Sequence, residues 1–245
     1  MNARIEVLGV PVDVLDVDGL LDGVEALIDR GGARARTVAY LNVHVANTAA
    51  SDPALHAFLS GVDLCYCDGA GVVLGARLLG HELPGRMTGA DWIWKLAARS
   101  EGRRRIFWLG GEPGVSEAAC NALRERHPGL ELDADHGFHG EAEVPALLER
   151  IQAFGPDILL VGMGTPVQER WVQRWLGGLQ AVPVVWVLGA TADFLSGKVD
   201  RGPAWLHDRQ EWLARLVTEP GRLWKRYLVG NPLFLARVLK QRLRG

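Results

Sequence analysis

Short β-branched runs alternate with amphipathic stretches along most of this chain, and that alternation constrains the fold more than any other feature. The runs lie at 4–10, 37–41, 62–67, 105–109, 130–134, 157–161 and 182–188. Between them, helical periodicity is found near 18–30, 53–60, 71–80, 89–100, 114–127, 141–154 and 167–178. Neighbouring parallel strands need a crossover, normally a helix, so this spacing predicts βαβ units and a mostly parallel sheet. Residues 158–161 are apolar at every position, as in a strand covered on both faces. The reading is α/β: a Rossmann-like, mostly parallel sheet with helices on both faces over residues 1–199, then a basic helical C-terminal appendage over 200–245. After Pro203 the aromatics and leucines (Trp205, Trp212, Leu213, Leu216) recur at helical spacing, and Pro220 and Pro232 divide the remainder into shorter helices.

Composition narrows the functional classes. The chain has 245 residues, is 48% hydrophobic and 23% charged, and carries a net charge of -2. Such values belong to a globular domain rather than a disordered, collagenous or coiled-coil chain, and the near-neutral balance excludes a general nucleic-acid binder. The three cysteines (Cys65, Cys67, Cys120) form no CxxC pair and fit neither a disulfide framework nor a structural zinc site. No signal-peptide pattern opens the sequence, and no apolar run approaches the roughly 18–20 residues of a spanning helix. A soluble protein of a reducing cytoplasm is expected.

In open parallel sheets, ligands sit beyond the carboxyl ends of the strands. The residues there are Asn42, Asp68-Gly69, Gly110-Gly111, Gly162-Met163-Gly164-Thr165 and Gly189 to Asp193. Glycines and short polar groups suit close approach of backbone to a ligand, and loops entering helix N-termini suit phosphate. An Asp at a strand tip, here Asp68, is placed for acid–base work; Asp68-Gly69 also reads as a turn. Asn42 reads equally as a helix cap. Thr165-Pro166-Val167-Gln168 reads as a capping box, with Thr165 at the N-cap, Pro166 at N1 and Gln168 at N3. Asp16-Val17-Asp18 and Asp133-Ala134-Asp135 match the Asp-x-Asp pattern that holds a metal–nucleotide pair, but the first reads better as cap chemistry and so short a motif recurs by chance. The histidines lack ligand spacing such as HExxH, so no metal site is expected; His136 and His139 flank Gly137-Phe138 and could line a pocket, but read better as a surface loop. Gly162-x-Gly164 lacks the third glycine of a dinucleotide fingerprint, since Val167 stands in its place, which argues against a nicotinamide enzyme.

The tail is set apart by charge. Residues 222–245 hold seven Lys and Arg and no acid, leaving -9 on the rest. Arg215, Arg222 and Arg226 would share one face of a continuous helix. A basic appendage of this kind meets an anion, either a phosphate group or an acidic membrane surface, or is simply a solvated face.

Taken in order, Asp68-Gly69-Ala70-Gly71, Arg86-Met87-Thr88-Gly89, Leu109-Gly110-Gly111-x-Pro113-Gly114, Gly162-Met163-Gly164-Thr165-Pro166-Val167-Gln168-Glu169, and Glu211-Trp212 through Arg215, Glu219-Pro220, Arg222, Lys225 and Arg226 resemble the WecG/TagA/CpsF glycosyltransferase family from about residue 5 to 240. The resemblance implies an inverting, metal-independent bacterial enzyme. It would move a hexose-type sugar (ManNAc, ManNAcA, glucose or similar) from a UDP donor to a polyprenyl-diphosphate-linked saccharide at the inner membrane face, and a homo-oligomer is compatible with it. It assigns Asp68 as general base and Asn42, Arg86 and Gln168 as active-site polar residues. It assigns Arg215, Arg222 and Lys225 or Arg226 as tail cations that meet the donor diphosphate. Tyr40 stands where the family usually has Thr, Ala190 and Thr191 vary the pattern before Asp193-Phe194, and Gly202 replaces the Ala of an Arg-Ala-Pro motif. The competing readings are a nucleotide-dependent enzyme of another class on the same fold, and a non-catalytic membrane-associated scaffold.

Overall fold

The computed structural model describes residues 3–198 and 224–244, apart from the side chain of Arg226. A six-stranded, all-parallel sheet forms its centre, from β3 (Arg36–Leu41), β4 (Leu64–Cys67), β5 (Arg105–Gly110), β6 (Glu131–Asp135), β7 (Ile158–Gly162) and β8 (Val184–Val187), in the spatial order β4-β3-β8-β7-β5-β6. Helices α1 (Val17–Asp29), α2 (Val43–Ala49), α3 (Pro53–Gly61), α4 (Ala70–Leu78), α5 (Gly89–Ser100), α6 (Val115–Arg126), α7 (Val144–Phe154), α8 (Val167–Trp175) and α9 (Thr191–Leu195) connect and flank it. β7 and β8 are buried at every residue, because sheet neighbours and helices leave neither face to water. The core centres on stacked Trp92 and Trp186, 4.1 Å between ring centroids, with Tyr66 edge-on to both.

Two departures from the sequence reading have physical causes. The run at 4–10 is not one strand but half of a hairpin, β1 (Arg4–Val7) paired antiparallel with β2 (Val10–Asp13), outside the main sheet. Leu8 and Gly9 both take positive φ, 54° and 78°, as a two-residue type I′ turn requires. Leucine is an unusual residue there, so the sequence carries no turn signature. One carboxylate then joins the hairpin to β4: Asp13 takes Arg4 Nε at 2.8 Å and the Cys65 N–H at 2.8 Å.

The second departure is α2, whose seven residues are too short to show a helical period. It matters because the C-terminal helix α10 (Gly230–Arg242) packs on it. Arg237 donates to the backbone and side-chain oxygens of Asn47, and Asn47 Nδ2 donates to Gly230 O. Phe234 and Val238 are buried beside Gly75 of α4, where any side chain would collide with the Phe234 ring. Gln241 accepts from the Leu8 N–H at the hairpin turn, 2.8 Å away. The described end of the appendage is therefore seated against the sheet domain. The boundary drawn at 199/200 and the helix expected after Pro203 lie outside the described residues.

Candidate active site

A cavity of about 650 Å³ opens between the carboxyl tips of β3, β4, β7 and β8 and the C-terminal segment. That volume suits a small organic ligand. Asp68, the first residue beyond β4, lies on its wall. Asn42 begins α2 and does two things with one amide. Its Oδ1 caps the helix by accepting from the Val45 N–H at 2.9 Å, and its Nδ2 donates to Asp68 Oδ2 at 3.0 Å. The cap reading and the site reading of Asn42 are thus both geometrically satisfied, because a capping side chain held on one side presents its other end in a fixed direction.

The opposite wall is Gly164, Thr165 and the Leu188–Thr191 turn, with Thr88, Gly89 and Ala90 at the start of α5. The α5 N-terminus is tied by a capping box between Thr88 and Asp91. The first turns of α2, α5 and α9 all meet the cavity, and helix N-termini favour anionic ligands. Among its described lining residues Asp68 is the only carboxylate, against the amine of Lys225 and the imidazole of His44.

Gln168 has a different place from the one its motif predicts. Pro166, not Thr165, is the N-cap of α8, and Gln168 is fully buried behind the cavity. Its Oε1 accepts from the Gly164 and Gly189 N–H groups at 3.2 and 3.1 Å, clamping the tips of β7 and β8 together. Its Nε2 donates to Tyr40 Oη and to Glu169 Oε1 at 3.4 and 2.9 Å. The Thr165 hydroxyl, expected to cap, instead donates to Glu169 Oε1 at 2.8 Å and lies 3.3 Å from Tyr40 Oη. Burial pushes the Glu169 carboxyl above its ordinary value, and the hydrogen bonds from Gln168 and Thr165 offset only part of that. Tyr40 and Thr165 therefore reach the cavity from a connected hydrogen-bonded floor.

The strand-tip glycines divide into two groups. Gly164 lines the cavity, whereas Gly110, Gly111 and Gly162 do not. A side chain at Gly110 would overlap Gly162 O, and one at Gly162 would come within 2.6 Å of Gly189 O. These glycines let neighbouring strand tips cross at backbone contact. Arg86 is half-buried in the loop before α5, and Asp193 lies on α9, 4.0 Å from Lys198 Nζ; neither is among the lining residues. Of the tail cations, Lys225 lines the cavity, while Arg215, Arg222 and the Arg226 side chain lie outside the described part of the chain. Thr88 and Thr191 are wall residues that fall in segments the sequence reading quotes, whereas His44 is one it does not single out. His44 stands two positions after Asn42, a signal that becomes readable only once α2 is known.

The Asp-x-Asp pairs are engaged elsewhere. Asp16 caps α1, Asp18 pairs with Lys95 and Arg99, and Asp133 and Asp135 both hold Arg150.

A family model described as "Glycosyl transferase WecG/TagA/CpsF family" matches residues 5–245. The chain belongs to this family. It is a glycosyltransferase. Among curated relatives, the N-acetylglucosaminyldiphosphoundecaprenol N-acetyl-beta-D-mannosaminyltransferases of Staphylococcus aureus strains MRSA252 and NCTC 8325 are each 25% identical over 243 residues, covering 98% of this chain and 93% of theirs.

Proposed function

We propose that this glycosyltransferase moves a hexose-type sugar (ManNAc, ManNAcA, glucose or similar) from a UDP donor to a polyprenyl-diphosphate-linked saccharide, with inversion, in bacterial cell-surface polysaccharide synthesis. The names of the Staphylococcus aureus relatives support the acceptor class, a GlcNAc-diphosphate-lipid. The observation that carries the reading is the Asp68 carboxylate, aimed by Asn42 at a cavity with no second acid among its described lining residues.

Asp68 takes the proton of the acceptor hydroxyl as its oxygen forms a bond to the anomeric carbon. The bond from that carbon to the diphosphate oxygen breaks on the opposite face, and UDP leaves with the electron pair. General-base help of this kind contributes roughly 10²–10⁴-fold. The leaving diphosphate meets Lys225, Arg226, Arg215 and Arg222 and the N–H groups of the helix starts, in place of a metal. A metal–nucleotide pair would call on paired carboxylates, and Asp68 is the one carboxylate among the described lining residues.

The exposed face of the tail supports docking on an anionic inner membrane surface. Trp224, Leu228, Leu239 and Leu243 are exposed beside Lys240, Arg242 and Arg244. No helix among the described residues is long and apolar enough to cross a membrane.

The test is UDP release with a panel of UDP-sugars and a synthetic prenyl-diphosphate acceptor. Asp68→Asn is expected to lose roughly 10²-fold or more of turnover while keeping donor affinity, and EDTA is expected to change turnover little. Unchanged turnover in Asp68→Asn removes Asp68 as base, and strong inhibition by EDTA restores the metal-assisted alternative.

A further inference from the structure

At the carboxyl end of the edge strand β6, outside the cavity lining, Asp135, His136 and His139 bring one donor atom each to within 4.8 Å of one another. The two imidazoles lie face to face, 4.2 Å between centroids and 14° between planes. His139 Nε2 is buried and makes no hydrogen bond, yet it sits 3.2 Å from Asp135 Oδ1. A lone polar nitrogen left in that position costs stability unless something satisfies it. We propose that Asp135, His136 and His139 form a site for a zinc-class divalent cation.

The Asp135–His139 pair is spaced for such an ion, and the His136 ring joins it by turning out of its stack on His139. Zinc bonds nitrogen and oxygen at about 2.0–2.2 Å, so two donors of a tetrahedral site stand about 3.3 Å apart. The Asp135–His139 pair already has that separation, 3.2 Å. Two imidazoles and one carboxylate form a donor set that suits Zn²⁺, Co²⁺, Ni²⁺ or Cu²⁺ and suits Mg²⁺ or Ca²⁺ poorly. Three protein ligands leave the fourth position to water.

The surroundings hold the carboxylate in place. Asp135 Oδ2 takes Arg150 at 2.6 Å, Oδ1 takes the His136 N–H at 2.8 Å, and the Asp135 carbonyl takes the Ser116 hydroxyl at 2.9 Å. Hydrogen-bonded carboxylates of this kind are the usual outer support of a metal ligand. His136 gives up one contact. Its Nδ1 accepts the Phe138 N–H at 3.2 Å, a long bond that the ion displaces directly or through a change of tautomer. The loop is tied at its centre, where the Gly137 N–H reaches Gly111 O at 2.9 Å. An ion therefore pins residues 135–139, and with them the exposed Phe138 ring, to the tips of β5 and β6.

The site stands apart from sugar transfer, so its test reads binding. The full, tag-free chain is stripped with chelator, dialysed and titrated with Zn²⁺ by calorimetry, with Co²⁺ as the spectroscopic probe. One equivalent per chain is expected, with a raised melting temperature, a visible four-coordinate cobalt band and no competition from Mg²⁺. His136→Ala and His139→Ala should each weaken binding about tenfold or more, and exposed His81→Ala should not. Asp135→Asn, nearly isosteric, provides a second loss-of-affinity variant if an alanine variant loses its native circular dichroism. Absence of saturable binding overturns the site, as does unchanged affinity in the His136, His139 and Asp135 variants.

Discussion

At the scale of single residues, the site depends on side chains that do two jobs. Asn42 caps α2 and aims Asp68. Asn42→Ala should cost about 1 kcal/mol in urea unfolding through the lost cap, and should also lower turnover. Asn42→Asp keeps a capping oxygen but places a second carboxylate beside Asp68. Its stability should stay near wild type while UDP release falls, a split that a purely structural Asn42 does not produce. Glu169 gives a pH prediction. Its folded value is raised, so its contribution to stability is complete below the ordinary 4.5 and is lost as pH rises through the folded value. Denaturant midpoints should fall across that window in wild type and stay flatter in Glu169→Gln. Asp63 works in the opposite sense. Partial burial raises its carboxyl, but Arg34, the Thr37 N–H and Arg36 outweigh that and bring it below 3.8. Its contribution is present above 3.8 and is lost as pH falls through the lowered value, so Asp63→Asn should flatten the acid limb of the stability curve.

At the scale of elements, legibility in the sequence tracks the length of the periodic signal. Helices of nine residues or more, such as α1, α5 and α6, and the all-apolar β7 declare themselves. The hairpin turn at Leu8-Gly9 and the short α2 do not, because one lacks turn chemistry and the other lacks a full period. Strand-tip glycines are visible, but the sequence does not separate the cavity glycines, Gly164 and Gly189, from Gly110 and Gly162, whose lack of a side chain serves strand crossing. Gln168 shows the same limit. The motif looks like a cap, and only the sheet order reveals that its amide clamps two strand tips. Helix α10 is anchored on α4 through Phe234, which is 1% exposed and packs against Gly75. Phe234→Ala should cost about 3–5 kcal/mol by thermal or chemical unfolding, and donor affinity should weaken with it because Lys225, Val229, Gly230 and Leu233 form the adjoining wall.

At the scale of the whole molecule, a parallel sheet supplies rigid strand tips and the last helix supplies the missing wall. A carboxylate and a cation far apart in the chain, Asp68 and Lys225, come to one cavity in consequence. Charge shows the same division, with the basic tail set against an acidic sheet domain. Sequence patterning reaches this arrangement only as far as the class of fold and the strand-tip residues, since nothing local tells where residue 225 docks. The role of Asp68 is tested most directly by UDP release from wild type and Asp68→Asn, side by side with donor affinity, using UDP-ManNAc and a prenyl-diphosphate-GlcNAc acceptor. A general base at residue 68 predicts turnover by wild type, roughly 10²–10⁴-fold less by the variant, and equal donor affinity. Equal turnover by the two proteins would contradict it.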